Sequence, residues 1–198
     1  MAKGDSSFLS LVAHSDIPSN GVRRVAANAA LAGPDSLRFQ YVLEADPQLV
    51  RVPPPLTDPG RTDKLWTHTC FEAFVGLAQS PAYLELNFSP SGEWAAYRFD
   101  GYRQGMAAAL DAAPRLALRH REGRLELQAE VGLSGILRSL GRSEPGEPRL
   151  RIALSTVVEG REGGLSYWAL RHAPGRADFH HPESFSLALE LPNHPPDP

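Results

Sequence analysis

Leu37, Phe39, Tyr41 and Leu43 alternate with Arg38, Gln40, Val42 and Glu44. A period of two places the first set on one face, so this run predicts a half-buried strand. Leu65 to Gly76 and Ala82 to Phe88 read as adjacent strands, parted by the turn-prone Gln79-Ser80-Pro81. Pro90-Ser91-Gly92 signals a turn into Glu93 to Phe99, so these three runs predict a meander. Glu122-Gly123 divides Arg115 to His120 from Arg124 to Val131 and predicts a hairpin. Arg149 to Val158 and Leu165 to Leu170 form another predicted pair, and Phe185 to Leu191 a closing strand. Phe8 to Val12, the alanine-rich Val22 to Leu31, and Leu49 to Val52 are further strand candidates. Pro53-Pro54-Pro55 stops the last of these, because three missing amide donors cannot sit in a central ladder.

One stretch leaves that period. Leu133, Ile136, Leu137 and Leu140 share a helical face, with Gly141 as the stop. Gly101 to Asp111 fits neither pattern, and Arg171 to Pro182 is a predicted long loop. About ten short strands with regular turn signals and one short helix predict an all-β fold, a two-sheet antiparallel β-sandwich. There is no internal repeat, so 1–198 is expected to be a single domain, with a core from about 8 to 191 and a loose proline-rich tail, Pro192 to Pro198.

Composition narrows the function classes. The 198 residues suffice for one sizeable core. The net charge is −3 with acids and bases interspersed, which gives no footprint for nucleic acid or an anionic membrane. No apolar run is long enough to span a bilayer. The start, Met1-Ala2-Lys3-Gly4-Asp5, lacks a secretion signal, and the single cysteine, Cys70, cannot form an internal disulfide. A cytoplasmic location is therefore expected. Nothing indicates the oligomeric state.

The candidate chemistry lies on the central runs. Tyr83, Glu85 and Asn87 share one strand face, opposite the apolar Leu84, Leu86 and Phe88. If Phe71, Ala73 and Val75 face the core, then Trp66, His68, Cys70, Glu72 and Phe74 share the other side. Glu72 and Glu85 then lie on one sheet surface, where burial raises at least one pKa. Carboxylates beside large rings suit a small, hydroxyl-rich ligand such as a sugar. The long loop adds Phe179 as a ring, with Trp168, Arg171, His172, His180 and His181 as a polar wall and rim. Its histidines and Asp178 match no metal-ligand spacing, so no metal is expected.

Four segments together resemble the DOMON-like proteins, relatives of family-nine carbohydrate-binding modules. They are Leu65-Trp66, Cys70-Phe71-Glu72-Ala73-Phe74, Tyr83 through Gly92, and Phe179-His180-His181-Pro182-Glu183-Ser184-Phe185. The resemblance runs from about Leu37 to Leu191. It implies a jelly-roll sandwich with a pocket at one end or face. In the sugar-binding relatives two rings clamp the sugar while an acid and amides bond its hydroxyls. Those roles fall on Trp66, Phe179 and Glu72, with Glu85 and Asn87 as the polar strand residues. The chain departs from that pattern in having Phe where the second ring is Trp, two added histidines beside it, and no recognisable calcium site. Other DOMON relatives bind haem through a methionine and a histidine, and Met1 and Met106 are the methionines available.

Enzymatic alternatives are thinner. Gly132-Leu133-Ser134-Gly135 has the wrong spacing for a nucleophile elbow, and no P-loop or dinucleotide fingerprint occurs. Cys70 beside His68 is a conceivable nucleophile, though a lone strand cysteine is usually a small buried hydrophobe. Glu72 and Glu85 could form an acid–base pair acting on glycosides. The expectation is a non-catalytic binding module for a small ligand with no resident cofactor. A haem or metal protein and a glycoside hydrolase are the alternatives.

Overall fold

The computed structural model describes residues 7–19, 21–141 and 149–191. Met1 and the proline-rich tail lie outside them. The strands are β1 (Leu9–Ala13), β2 (Val22–Leu31), β3 (Ser36–Ala45), β4 (Val50–Arg51), β5 (Cys70–Leu77), β6 (Tyr83–Phe88), β7 (Trp94–Phe99), β8 (Ala107–Ala108), β9 (Pro114–Arg121), β10 (Arg124–Gly132), β11 (Arg149–Gly160), β12 (Leu165–Ala169) and β13 (Leu187–Glu190). Helix α1 (Leu133–Ser139) follows β10 directly. Its C-terminus is closed by Gly141 at φ 74°, a left-handed turn that glycine enters without strain.

Strand pairing is antiparallel throughout the named strands and runs in one path, β8-β7-β6-β5-β11-β12-β1-β2-β3-β10-β9, with β13 and β4 also on β11. The all-β fold with one helix agrees with the sequence reading. The expected two separate sheets are replaced by one curled sheet, because β1 pairs β2 through Leu9–Leu11 and β12 through Val12 and Ala13. The predicted meander is β5-β6-β7, and the predicted hairpin is β9-β10, turning at Gly123 with φ 68°. One strand starts later than expected. Leu65–Thr67 is a 3₁₀ turn, and β5 begins only at Cys70.

The curl brings the two halves of the sheet face to face. Phe39 and Tyr41 of β3 meet Phe88 of β6 and Phe71 of β5, with ring centroids 6.0 and 5.0 Å apart. Leu37, Leu43, Leu127, Leu84, Leu86 and Ile152 fill the same interior. Each fully buried side chain of this size contributes roughly 1.5–3 kcal/mol of hydrophobic stabilisation. The Tyr41 hydroxyl is accommodated by donating to the backbone oxygen of Glu72 at 2.7 Å.

The far face of β5, β6 and β11 is covered as well. Every residue of β6 is buried, polar ones included. A second apolar layer of Leu65, Phe74, Tyr83, Tyr97, Phe99, Phe179 and Phe185 lies there, supplied by strands and by the loops before β5 and after β12. That second layer surrounds the chemistry described next.

Candidate functional site

The floor is a set of cross-strand rows. Ala169, Ser155, Glu72, Asn87 and Ala95 stand side by side across β12, β11, β5, β6 and β7. The neighbouring row is Ala153, Phe74, Glu85 and Tyr97. Glu72 and Glu85 are therefore diagonal neighbours on one face. Above them is a cavity of about 740 Å³, lined among others by Trp66, Glu72, Glu85, Phe99, Arg103, Tyr167, Phe179 and His180.

Both carboxyls are starved of water. Glu72 is 3% exposed and Glu85 5%. Burial, and then the neighbouring Glu85, hold the Glu72 carboxyl well above the usual carboxylate range. Its Oε1 has no hydrogen-bond partner. Burial pushes Glu85 up to about 7, against a hydrogen bond from Asn87 Nδ2 at 2.7 Å and the Arg103 guanidinium, which pull it down. Cys70, on the same face of β5, has two acceptors within reach of its thiol, Phe71 O at 3.6 Å and Asn87 Oδ1 at 3.7 Å.

A hydrogen-bond chain reaches Glu85 from the side. The Arg103 amide donates to the Tyr83 hydroxyl at 3.2 Å. The Tyr83 hydroxyl lies 2.9 Å from His180 Nδ1. In the arrangement in which the tyrosine donates onward to Nδ1, the ring proton of the neutral imidazole sits on Nε2. Nε2 lies 3.6 Å from Glu85 Oε2. Burial and the Arg103 charge bring His180 down to about 4, with Asp178 opposing. The histidine is thus neutral near pH 7, and this contact is an N–H facing a carboxyl rather than an ion pair.

Two devices hold the aromatic walls. Trp66 sits in the 3₁₀ turn that Lys64 starts at φ 63°, with Thr67 Oγ1 donating to Lys64 O at 2.8 Å. Its ring meets Tyr97 edge-on at 5.7 Å, and the Tyr97 hydroxyl donates to Asp63. Phe179 lies between Tyr167 and His172, at 5.9 and 6.2 Å. Asp178 organises this loop. Its carboxylate accepts from Tyr102, from Arg103 at 2.8 Å and from the His180 amide at 3.0 Å, and its carbonyl accepts from Ser184 Oγ at 3.2 Å.

The residues singled out from sequence divide clearly. Trp66, Glu72, Glu85, Phe179 and His180 line the one cavity, and Asn87 supports Glu85 from beneath. Trp168 is not a rim residue. It occupies the opposite face of β12, packs in the inter-half core and donates to Ser166 Oγ at 3.1 Å. Arg171 is exposed and pairs with Glu183 at 3.3 Å, outside the lining. His172 bonds the Val12 carbonyl through Nε2 at 3.0 Å and reaches the cavity only through its contact with Phe179. His181 turns away, accepting the Glu183 amide at 3.2 Å. His68 is exposed and meets Glu159 at 2.8 Å, and burial pushes the Cys70 thiol well up, so the two form no nucleophile pair. Sequence reasoning missed Arg103, Phe99, Tyr167 and His14. Tyr167 was open to parity, since it alternates with Trp168. The others converge only through long-range folding.

Among the described residues, the donors at the cavity do not fit haem. Met106 lines the cavity with His14 and His180, yet both histidines are engaged. His14 Nε2 meets Gly175 O at 3.0 Å and its Nδ1 accepts the Asp16 amide at 3.3 Å, while His180 is held as described. Neither presents a free nitrogen for axial ligation. Among the described residues, no group of three or more His, Cys, Asp or Glu is placed to hold a metal ion.

No family model matches the chain, and no curated protein matches it. A crystal structure of a "putative carbohydrate-binding protein" from Bacteroides uniformis is similar in fold, with a TM-score of 0.64 and 17% identity. The match covers 93% of this chain and 85% of that one.

Proposed function

We propose that the protein is a non-catalytic binding module for a small, hydroxyl-rich ligand of sugar size. The observation that carries this reading is the convergence of Trp66 and Phe179 with Glu72 and Glu85 on one cavity. Rings take the apolar face of a sugar, while buried carboxyls pair with its hydroxyls and penalise a ligand that lacks them. The DOMON-like sequence resemblance supports the same reading, as does the description printed for the Bacteroides structure. The proposed site is Trp66, Glu72, Glu85 and Phe179, with Asn87 and His180 holding the carboxyls.

The test is Trp66→Ala, made with circular dichroism unchanged and assayed against a glycan array and by calorimetry. Loss of a sugar bound by wild type is expected, and undiminished binding would refute the placement. A Glu72 held well above the usual carboxylate range beside a Glu85 poised near neutrality is also acid–base equipment. Chromogenic glycosides turned over by wild type but not by Glu72→Gln would convert the binder into a hydrolase.

A further inference from the structure

Two polar atoms under the cavity lack partners. Glu72 Oε1 and Ser155 Oγ are each inaccessible and make no hydrogen bond. Their residues stand directly opposite one another in the β5–β11 ladder, where facing Cβ atoms are about 5 Å apart. Glu85 approaches diagonally from β6. Buried oxygens that go unpaired are costly, and functional sites are where such gaps are kept.

The nearby cations offset this pair only in part. Arg103 lowers Glu85 but is itself held by Asp178 at 2.8 Å, and Arg176, which also lines the cavity, is exposed. His180 turns one N–H toward Glu85 and is held neutral. The Tyr41 hydroxyl, from the opposite face, reaches only the Glu72 backbone oxygen. The Cys70 thiol reaches the Phe71 carbonyl and Asn87, and the Tyr83 hydroxyl meets His180. Trp66, Phe99, Tyr167 and Phe179 line the same cavity, and aromatic faces attract cations. A ligand hydroxyl has one proton to donate. An ammonium has three, together with the charge that two carboxyls call for.

We propose that Glu72, Glu85 and Ser155 form a socket for the protonated primary amine of an amino sugar. The inference rests on the reading of the cavity as a site for hydroxyl-rich ligands, and it names the group that distinguishes the ligand. Seating a cation there favours the ionised pair, so a carboxyl O–H breaks and its proton passes to the buffer.

Calorimetry decides it, with glucose, galactose and mannose each titrated beside glucosamine, galactosamine and mannosamine. Two buffers of different protonation enthalpy are used at about pH 7, where Glu85 titrates. The expected result is one amine at least about tenfold tighter than its parent sugar, with proton release. Glu72→Gln should erase the preference and the release, and Ser155→Ala should weaken the amine severalfold, both with circular dichroism unchanged. Parents that bind with no gain for any amine would overturn the socket and leave the sugar reading standing. Silence across the whole panel would overturn both. Calcium chloride binding alone, with the same Glu72-dependent proton release, would make this an inorganic cation site and overturn the amine.

Discussion

Replacing Glu85 with Gln removes a carboxyl that burial keeps protonated up to about pH 7, and the consequence is readable in stability against pH. A carboxyl that ordinarily titrates at 4.5 is held up to about 7 by burial. At about 1.4 kcal/mol per pH step, that corresponds to about 3 kcal/mol. Below 4.5 both folded and unfolded chains hold the proton. Between there and 7 the folded chain keeps a proton that the unfolded chain has released, so stability falls as pH rises. Relative to Glu85→Gln, wild type should therefore lose about 3 kcal/mol between about pH 4.5 and 8. His180 supplies the opposite slope. It lies at about 4 rather than 6.5, so its stabilisation is complete above 6.5 and is lost as pH falls toward 4. Relative to His180→Asn, which keeps an acceptor for Tyr83, wild type should gain about 3 kcal/mol from about pH 4 to 6.5. Comparison with each neutral variant cancels the titrating groups that the altered side chain does not perturb, while Glu72, which Glu85 raises, adds to the first difference in the same direction. Urea unfolding followed by tryptophan fluorescence at several pH values gives all three curves. Parallel curves for wild type and Glu85→Gln would mean that the carboxyl is hydrated and the covered floor is wrong.

Two further substitutions test the supports. Tyr83→Phe removes the hydroxyl that accepts from the Arg103 amide and donates to His180. It should cost about 1 kcal/mol in urea unfolding, because a partly buried donor and acceptor lose their partner together. Gly135→Ala in α1 should destabilise the protein by about 1–3 kcal/mol in the same assay, although alanine is the better helix former. A Cβ there would lie 2.0 Å from the Asp111 carbonyl oxygen, which is backbone and cannot step aside cheaply. A thermal midpoint equal to or above wild type would show that the close approach of α1 to residues 111–112 is not held.

Parity made much of the site legible. Alternation placed Glu72 with Phe74, and Glu85 with Tyr83 and Asn87, on the face away from Leu84 and Leu86, and the register of β5 on β6 keeps them together. Alternation does not say whether that face is wet. β6 is half polar, yet all six of its residues are buried, because the turn carrying Arg103 and the loop carrying Asp178 and Phe179 close over it. These segments meet across 75 residues of chain, through Arg103 and Asp178. No local pattern encodes such a contact. Alternation separates Tyr167 from Trp168 in β12 but does not say which face meets the cavity, and the ladder with β11 settles it. Tyr167 faces Val157 on the cavity side, while Trp168 faces Thr156 and the core.

The same closure accounts for the chemistry of the floor. A glutamate on an open sheet titrates as in a peptide, and its presence in a strand says nothing about binding. Glu85 is lifted to about 7 by the burial that the surrounding segments impose, and Glu72 is raised well above the usual carboxylate range by its own burial and then by Glu85 beside it. Residue type was visible from alternation, but the charge state follows from the burial that distant loops impose. The binding reading and the pH dependence therefore stand or fall on the same contact. If the Arg103–Asp178 tether were cut by Asp178→Asn, the loop bearing Phe179 and His180 would lose its charge-assisted anchor. Glu85 should then move back toward ordinary carboxylate behaviour, and the pH-dependent difference between wild type and Glu85→Gln should shrink when both are measured in the Asp178→Asn background.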